Sequence, residues 1–285
     1  MNLVLRGGTP ADASATGALC HDAFAAISAR HNFPRDFPSA EVAAGLTSML
    51  LSRPDVHSVV AEMDGRVVGS NFLWEESVVA GVGPITVDPT LQNAGVGHRL
   101  MEAVLERAAD RRVAGVRLVQ AAYHTRSMSL YAKLGFVVRE PLVAMQGPAL
   151  DVRLPGRTVR PASERDLAAC NRLALDVHGF ERANELRDAL RQEQATVVEH
   201  GGRITGYATS IGFFGHAVGR EADDVKALIG AARAFAGPGF LLPTRDAALF
   251  RWCLDQGLRV VQPMTLMTVG LYNEPAGSFL PSILF

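Results

Sequence analysis

Along this chain the spacing of apolar residues alternates between the period of two that suits a strand and the three-to-four period that suits a helix. Leu3-Val4-Leu5-Arg6 predicts a strand, and Pro10-Ala11-Asp12 followed by Leu19, Ala23, Phe24 and Ile27 at helical spacing predicts a helix. His57 to Ala61 and Gly69 to Trp74 read as strands joined by Asp64-Gly65, a dipeptide that accepts the positive φ of a tight hairpin turn. A short strand over Gly83 to Val87 closes at Asp88-Pro89, and a glycine-bearing loop then enters a long helix from about Val96 to Arg112. Val116 to Ala121 predicts another strand, Ser127 to Lys133 a short helix, and Phe136-Val137-Val138 a last strand.

The same order returns in the second half. Arg160-Pro161-Ala162 with Asp166-Leu167-Ala168 echoes Arg6 to Ala13, and Gly202-Arg203-Ile204-Thr205-Gly206 echoes Gly65-Arg66-Val67-Val68-Gly69. Gln256-Gly257-Leu258-Arg259-Val260-Val261-Gln262-Pro263 echoes Leu134-Gly135-Phe136-Val137-Val138-Arg139-Glu140-Pro141. Three echoes in one order predict a duplicated α+β domain, with units at 1–147 and 158–285 and a Pro- and Gly-bearing linker from Gly147 to Arg157.

Composition changes this picture by exclusion. A formal net charge of -1 supplies no overall basic field for nucleic acid or an anionic membrane, so neither is an expected partner. Cys20, Cys170 and Cys253 are far apart and in no metal-ligand spacing, which argues against disulfides and a zinc site. The Met1 to Gly7 segment has no basic-then-apolar leader pattern and no apolar run reaches the length of a membrane span. A cytoplasmic protein without a metal is the expectation.

The candidate chemistry starts at Gln92-Asn93-Ala94-Gly95-Val96-Gly97-His98-Arg99, between a strand and an amphipathic helix. Free backbone amides at a helix N-terminus, with glycines that let oxygens approach, suit a phosphate or pyrophosphate. Charge-assisted bonds of this kind contribute about 1.5–3 kcal/mol each, and His98 and Arg99 in the first turn would add to them. His98 after Gly97 excludes a Walker loop, and Leu100 with a following strand ending Val119-Gln120-Ala121 excludes the dinucleotide fingerprint. From the loop alone, a phosphate site and an ordinary turn remain equal alternatives.

Val82-Gly83-Pro84-Ile85-Thr86-Val87-Asp88-Pro89, the glycine loop and Arg99-Leu100-Met101 resemble the acetyl-CoA signature of the GCN5-related N-acetyltransferases. Ser129-Leu130-Tyr131-Ala132-Lys133-Leu134-Gly135-Phe136 resembles that family's second signature, and the resemblance covers residues 1 to about 147, with the second half a degenerate copy. It implies an α/β fold of two tandem domains, each a mixed, mostly antiparallel sheet flanked by helices. It also implies a sheet that splays beside Gly83 to Val87, where pantetheine would pair with the backbone of Ile85, Thr86 and Val87 as an added strand. The pyrophosphate would lie on the amides of Asn93 to Gly97, with Gln92, His98, Arg99, His124 and Ser129 as further cofactor contacts. A backbone N–H near Val87 would polarise the thioester carbonyl, and Tyr131 would stand beside the sulfur and protonate the departing thiolate.

The activity so implied is direct transfer of an acetyl group from acetyl-CoA, as co-substrate, to a small-molecule or peptide amine. An amine with a pKa of about 10.4 must shed a proton, at a cost of about 4–5 kcal/mol at neutral pH. Many members of the family use a strand glutamate for this, but the matching position here is Gly81. Glu75 and Glu76 are the nearest carboxylates in sequence and His124 follows the next strand, so each is a candidate base acting through water, although a solvated turn accounts for the two glutamates as well. His21, His31 and Asp36 would border the acceptor. In the second half Arg220-Glu221-Ala222-Asp223-Asp224 opens the corresponding helix with carboxylates that repel CoA, and Cys253 stands for Tyr131. That half is expected to wall the acceptor pocket or brace the first, and Tyr272 to Phe285 to pack back across the protein. Two other readings stay open: a non-catalytic CoA-binding sensor or scaffold, motivated by the missing glutamate, and an acyltransferase taking a longer acyl-CoA.

Overall fold

The computed structural model describes residues 3–92 and 94–284. In chain order its first half comprises β1 (Leu3–Gly7), α1 (Ala13–Arg30), α2 (Ala40–Ser52), β2 (Val56–Met63), β3 (Arg66–Trp74), β4 (Val79–Val82), β5 (Thr86–Val87), α3 (Val96–Asp110), β6 (Gly115–Ala121), α4 (Thr125–Lys133) and β7 (Val137–Gln146). The second half comprises β8 (Arg157–Pro161), α5 (Leu167–His178), α6 (Ala183–Arg191), β9 (Thr196–His200), β10 (Arg203–Ala208), β11 (Ala217–Gly219), α7 (Ala222–Ala231), β12 (Phe240–Pro243), α8 (Ala247–Asp255), β13 (Arg259–Gly270) and β14 (Ser278–Leu280). These form two sheets flanked by helices, the expected fold class, but only the first is mixed, with β4 parallel to β6, while the second is antiparallel throughout.

The duplication is visible in a repeated polar clamp. Arg6 on β1 donates to both carboxylate oxygens of Asp12 at 2.8 and 2.7 Å and to Glu62 on β2 at 2.6 Å. Arg160 on β8 does the same to Asp166, at 2.8 Å to each oxygen, and to Glu199 on β9 at 2.9 Å. Each aspartate also closes a capping box, with Thr9 in the first half and Ser163 in the second, so the same charged residue starts the first helix and ties it to the sheet.

The halves exchange their last strands. The first sheet runs β1-β2-β3-β4-β6-β13-β7-β12, with β5 on β3, and the second runs β14-β11-β10-β9-β8. β13 therefore lies between β6 and β7, antiparallel to both, while β7 takes β12 as its other neighbour. Packing follows pairing: Met267 of β13 is buried with Val104 and Leu118 of the first half, and Met145 of β7 with Val225 and Leu249 of the second.

Three local readings of the sequence are corrected. The strand expected over Gly83 to Val87 shrinks to β5 at its end, and β4 stops before it at Val82, because Pro84 has no N–H to give a ladder. α2 carries no predicted counterpart: its buried face is Ala43, Thr47, Leu50 and Leu51, in which two small or polar residues dilute the apolar stripe. The apolar stripe of α1 is real, but three of its four members do not face the core. Thr16, Gly17, Cys20 and Ser28 are the buried positions of α1, whereas Ala23, Phe24 and Ile27 line a cleft described below.

α1 and α2 touch at Gly17, where a Cβ would fall inside contact distance of the Ala44 backbone. Gly17→Val is expected to lower stability by about 1–3 kcal/mol through overpacking, measured as a shift in the denaturation midpoint. An unchanged midpoint would mean that the two helices do not depend on this approach.

Candidate functional site

The sheet opens where its pairing changes partners. β4 runs parallel to β6 only over Val79–Gly81 against Gly115–Arg117, and the chain then turns away so that β5 pairs with β3 alone. Beyond that point the inner edge of residues 83–87 and the second half of β6 separate. A cleft of about 770 Å³ enters there, bounded by Val82–Val87, Leu118–Ala121, the start of α3 and the inner face of α4. α1 closes it on one side, and Phe213, Phe214, Ile283 and Leu284 of the second half close it on the other.

The start of α3 is built to present backbone amides. Gly95 at the N-cap takes φ 79°, a left-handed conformation that glycine adopts without a Cβ penalty. Gly95 has no side chain to cap the first turn, and none of the turn's residues is acidic, so its donors and the positive end of the helix dipole face the cleft. A Cβ at Gly97 would sit 3.6 Å from both Val87 and Leu130, in the floor of the cleft. His98 of α3 and Arg126 and Lys133 of α4 line the same cleft, and Arg126 donates to the Gln92 amide oxygen at 2.7 Å. This lining is basic and rich in donors, which fits a phosphorylated ligand.

Ile85, Thr86, Val87, Gln92, Gly95, Val96, Gly97, His98, His124, Ser129 and Tyr131 are thus brought to one cleft from positions spread over 47 residues. Ala94 does not line it, and Arg99, one residue round the helix from His98, turns away to donate to the Leu3 carbonyl at 3.0 Å. Asn93 lies outside the described residues. Ser129 spends its hydroxyl on the Thr125 carbonyl at 2.8 Å, within its own helix.

Tyr131 is buried on α4 between the cleft and the core, and burial pushes its phenol up to about 12, so it keeps its proton at neutral pH. Glu75 and Glu76 do not reach this cleft. β3 ends at Trp74 and carries both past the sheet edge, where Glu75 is held by Arg107 at 2.6 Å and its pKa is lowered by that bond. Glu76 faces a separate hollow between the halves, with Arg53 and Asp188; burial, and then neighbouring Asp55, raise it to about 7. His124 lines the cleft, accepts or shares a bond with Ser127 at 2.6 Å, and is pushed down to about 4 by burial and by nearby Arg126, so it is neutral. His21, inside α1, pairs with Asp22 instead of bordering the cleft, while His31 packs its ring 5.4 Å from Tyr123.

Asp36, the third residue expected near the acceptor, lines the cleft from the loop between α1 and α2, and burial raises its pKa. The structure adds two polar groups that the motifs did not single out. Gln120 on β6 is 7 % exposed and lines the cleft with neither amide atom hydrogen-bonded. A lone glutamine in the apolar run Leu118-Val119-Gln120-Ala121 was the one available signal for it. Gln262 arrives from β13, and nothing in the local sequence announces that placement.

In the second half the corresponding helix start is closed. Glu221 and Asp224 form a capping box at the N-terminus of α7, and Arg157, 9 % exposed at its side chain, bonds Asp224 at 3.0 Å and Glu221 at 3.3 Å. Cys253 is fully buried in apolar surroundings, which push its thiol up to about 12. All three cysteines are free and buried. Among the described residues no group of His, Cys, Asp or Glu side chains comes together as a metal site, and no helix is long and apolar enough to cross a membrane.

Comparison with known proteins bears on the same segment. Residues 24–136 match the model of the acetyltransferase (GNAT) family. An IAA acetyltransferase of Azospirillum brasilense is 30% identical over 94 residues, which are 32% of this chain and 61% of that protein's length. A solved structure from Pyrococcus horikoshii superposes over 97% of this chain and 94% of its own, with a TM-score of 0.73 at 18% identity. A tandem GNAT protein from the clavulanic acid biosynthesis pathway matches 94% of this chain and 98% of its own, with a TM-score of 0.55 at 14% identity.

Proposed function

We propose, from the match of residues 24–136 to the model of the acetyltransferase (GNAT) family, that this protein transfers an acetyl group from acetyl-CoA to an amine in the cleft of its first half. The observation that carries the reading is the meeting, in one cleft, of an uncapped helix start, an unpaired strand edge and a protonated buried tyrosine. The amides of Gly95 to His98, with His98, Arg126 and Lys133, would hold the pyrophosphate and phosphate. Pantetheine would lie along residues 83–87, whose inner edge has no strand beside it, and the thioester would then point toward Tyr131.

Direct transfer needs no covalent enzyme intermediate: the amine lone pair attacks the thioester carbonyl, and the thiolate leaves beside the phenol. The units 1–147 and 158–285 take unequal parts in this proposal. The second has its helix start filled by Glu221, Asp224 and Arg157, and so contributes walls instead of a second CoA site.

Titration calorimetry with acetyl-CoA tests the reading, with butyryl-CoA beside it to compare acyl length. One site per chain is expected. Gly97→Glu, which puts a carboxylate into the first turn of α3, is expected to weaken binding by about 10- to 100-fold, the loss of one or two charge-assisted bonds. Two sites per chain would return the second half to the list of CoA binders, and no binding would overturn the proposal. Binding without turnover of any amine would leave a CoA sensor in place of a transferase.

A further inference from the structure

The lining of the cleft is uneven in charge. Among the described residues Asp36 is the single carboxylate that lines it, and no cation is within ion-pair distance of Asp36. The basic side chains of the cleft stand on α3, on α4 and at the N-cap of α4. Apolar side chains line the same cleft: Phe24, Ile27 and Phe37 from α1 and the loop that carries Asp36, and Phe213, Phe214 and Ile283 from the second half.

Asp36 is held in place by the strand exchange. Gln262 of β13, 2 % exposed, donates its amide to Asp36 Oδ1 at 3.2 Å and accepts from the Tyr123 hydroxyl at 3.2 Å. Ser28 of α1 donates to Asp36 Oδ2 at 3.5 Å. Tyr123 is fixed in turn by stacking on Phe33, with ring centroids 4.1 Å apart. A partly buried carboxylate with only neutral donors around it costs stability unless a cation comes to it.

We propose, resting on the acetyl-transfer reading above, that Asp36 receives the ammonium of the acceptor and that the acceptor is a small monocationic primary amine with an apolar, aryl-sized body. One carboxylate neutralises one ammonium. A polyamine or a polycationic sugar would leave further charges desolvated against phenylalanine and isoleucine, and that arrangement is disfavoured. The aromatic collar instead offers the body of an arylalkylamine a dry surface.

The same carboxylate accounts for the proton that Gly81 cannot take. Asp36 accepts one proton from the ammonium, and the freed lone pair forms the C–N bond at the thioester carbonyl. The C–S bond then breaks and the second proton on nitrogen ends on the sulfur, while Asp36 releases its proton to solvent. Burial raises the Asp36 pKa, which brings it nearer to that of a useful base. The neutral His124 and the distant Glu75 and Glu76 are not required.

Calorimetry on the intact protein saturated with CoA tests this. 2-Phenylethylamine is expected to bind, whereas 2-phenylethanol, the uncharged isostere, and spermidine are expected not to. Asp36→Asn is expected to weaken 2-phenylethylamine by about 10- to 100-fold, the worth of a charge-assisted bond, with CoA affinity unchanged. Its thermal midpoint should equal or exceed that of the parent, because the amide oxygen still accepts from Gln262, the amide NH2 can donate to the Ser28 hydroxyl oxygen, and an unpaired charge is removed. Equal binding of the alcohol and the amine, or unchanged amine affinity in Asp36→Asn, would overturn the inference while leaving acetyl-CoA binding intact. Failure of CoA itself to bind would overturn the reading beneath it.

Discussion

Tyr131→Phe is expected to lower kcat by about 10²- to 10³-fold, the cost of removing one hydrogen-bond donor aimed at charge that develops in the transition state. Burial keeps the phenol protonated at neutral pH, so in the proposed transfer it would meet the departing thiolate as a donor. The ring itself packs against Phe136, with centroids 6.1 Å apart, and that contact survives loss of the hydroxyl. Affinity for acetyl-CoA should therefore stay at the parent value while kcat falls, a separation that steady-state kinetics and calorimetry together will read. An unchanged kcat would remove Tyr131 from the chemistry and leave it as a core residue of α4.

A chain ending after Gly147 is expected to lose cooperative folding. β13 occupies the place between β6 and β7 and pairs with β6 from Ala121 to Gly115 along its whole length. Removing it exposes both edges together with Leu118 and Leu142, which are buried in the intact chain, and unpaired apolar edges favour association between chains. The converse also holds, since Val143 and Met145 of β7 are packed in the core of the second half. Differential scanning calorimetry and size-exclusion chromatography of the fragment are the measurements. A monomeric fragment with a sharp thermal transition would mean that β7 can close directly on β6, and that the exchange is dispensable to folding.

The same exchange bears on the site. Gln262 reaches Asp36 only because β13 has left its own half, so the proposed acceptor end is assembled from residues 226 positions apart in the chain. Duplication thus did more than add a spare copy. The second half has lost an open helix start at α7, and it has supplied β13, Phe213 and Ile283 to the first half's cleft.

What the sequence determined by itself is what short-range physics governs. Period-two and helical spacing located β1 to β3, α3, β6 and α4, and Asp64-Gly65 located the hairpin turn between β2 and β3, where both residues take positive φ. The glycine loop was legible because an uncapped helix start needs particular residues at particular spacing, and the echo of Arg6 and Asp12 in Arg160 and Asp166 was legible because each clamp is nearly local. Side-chain direction and long-range pairing were decided only in the tertiary structure. Glu75 and Glu76 stood near the signature in sequence, yet a strand end sent them to Arg107 and Arg53. Asp36 was named only through the family resemblance, and its bond to Gln262 came from the fold, while α2 hid behind a stripe diluted by Ala43 and Thr47. The exchange of β7 and β13 has no local signature, because either pairing satisfies the same backbone groups and buries the same alternating residues; only the packing of both halves selects between them.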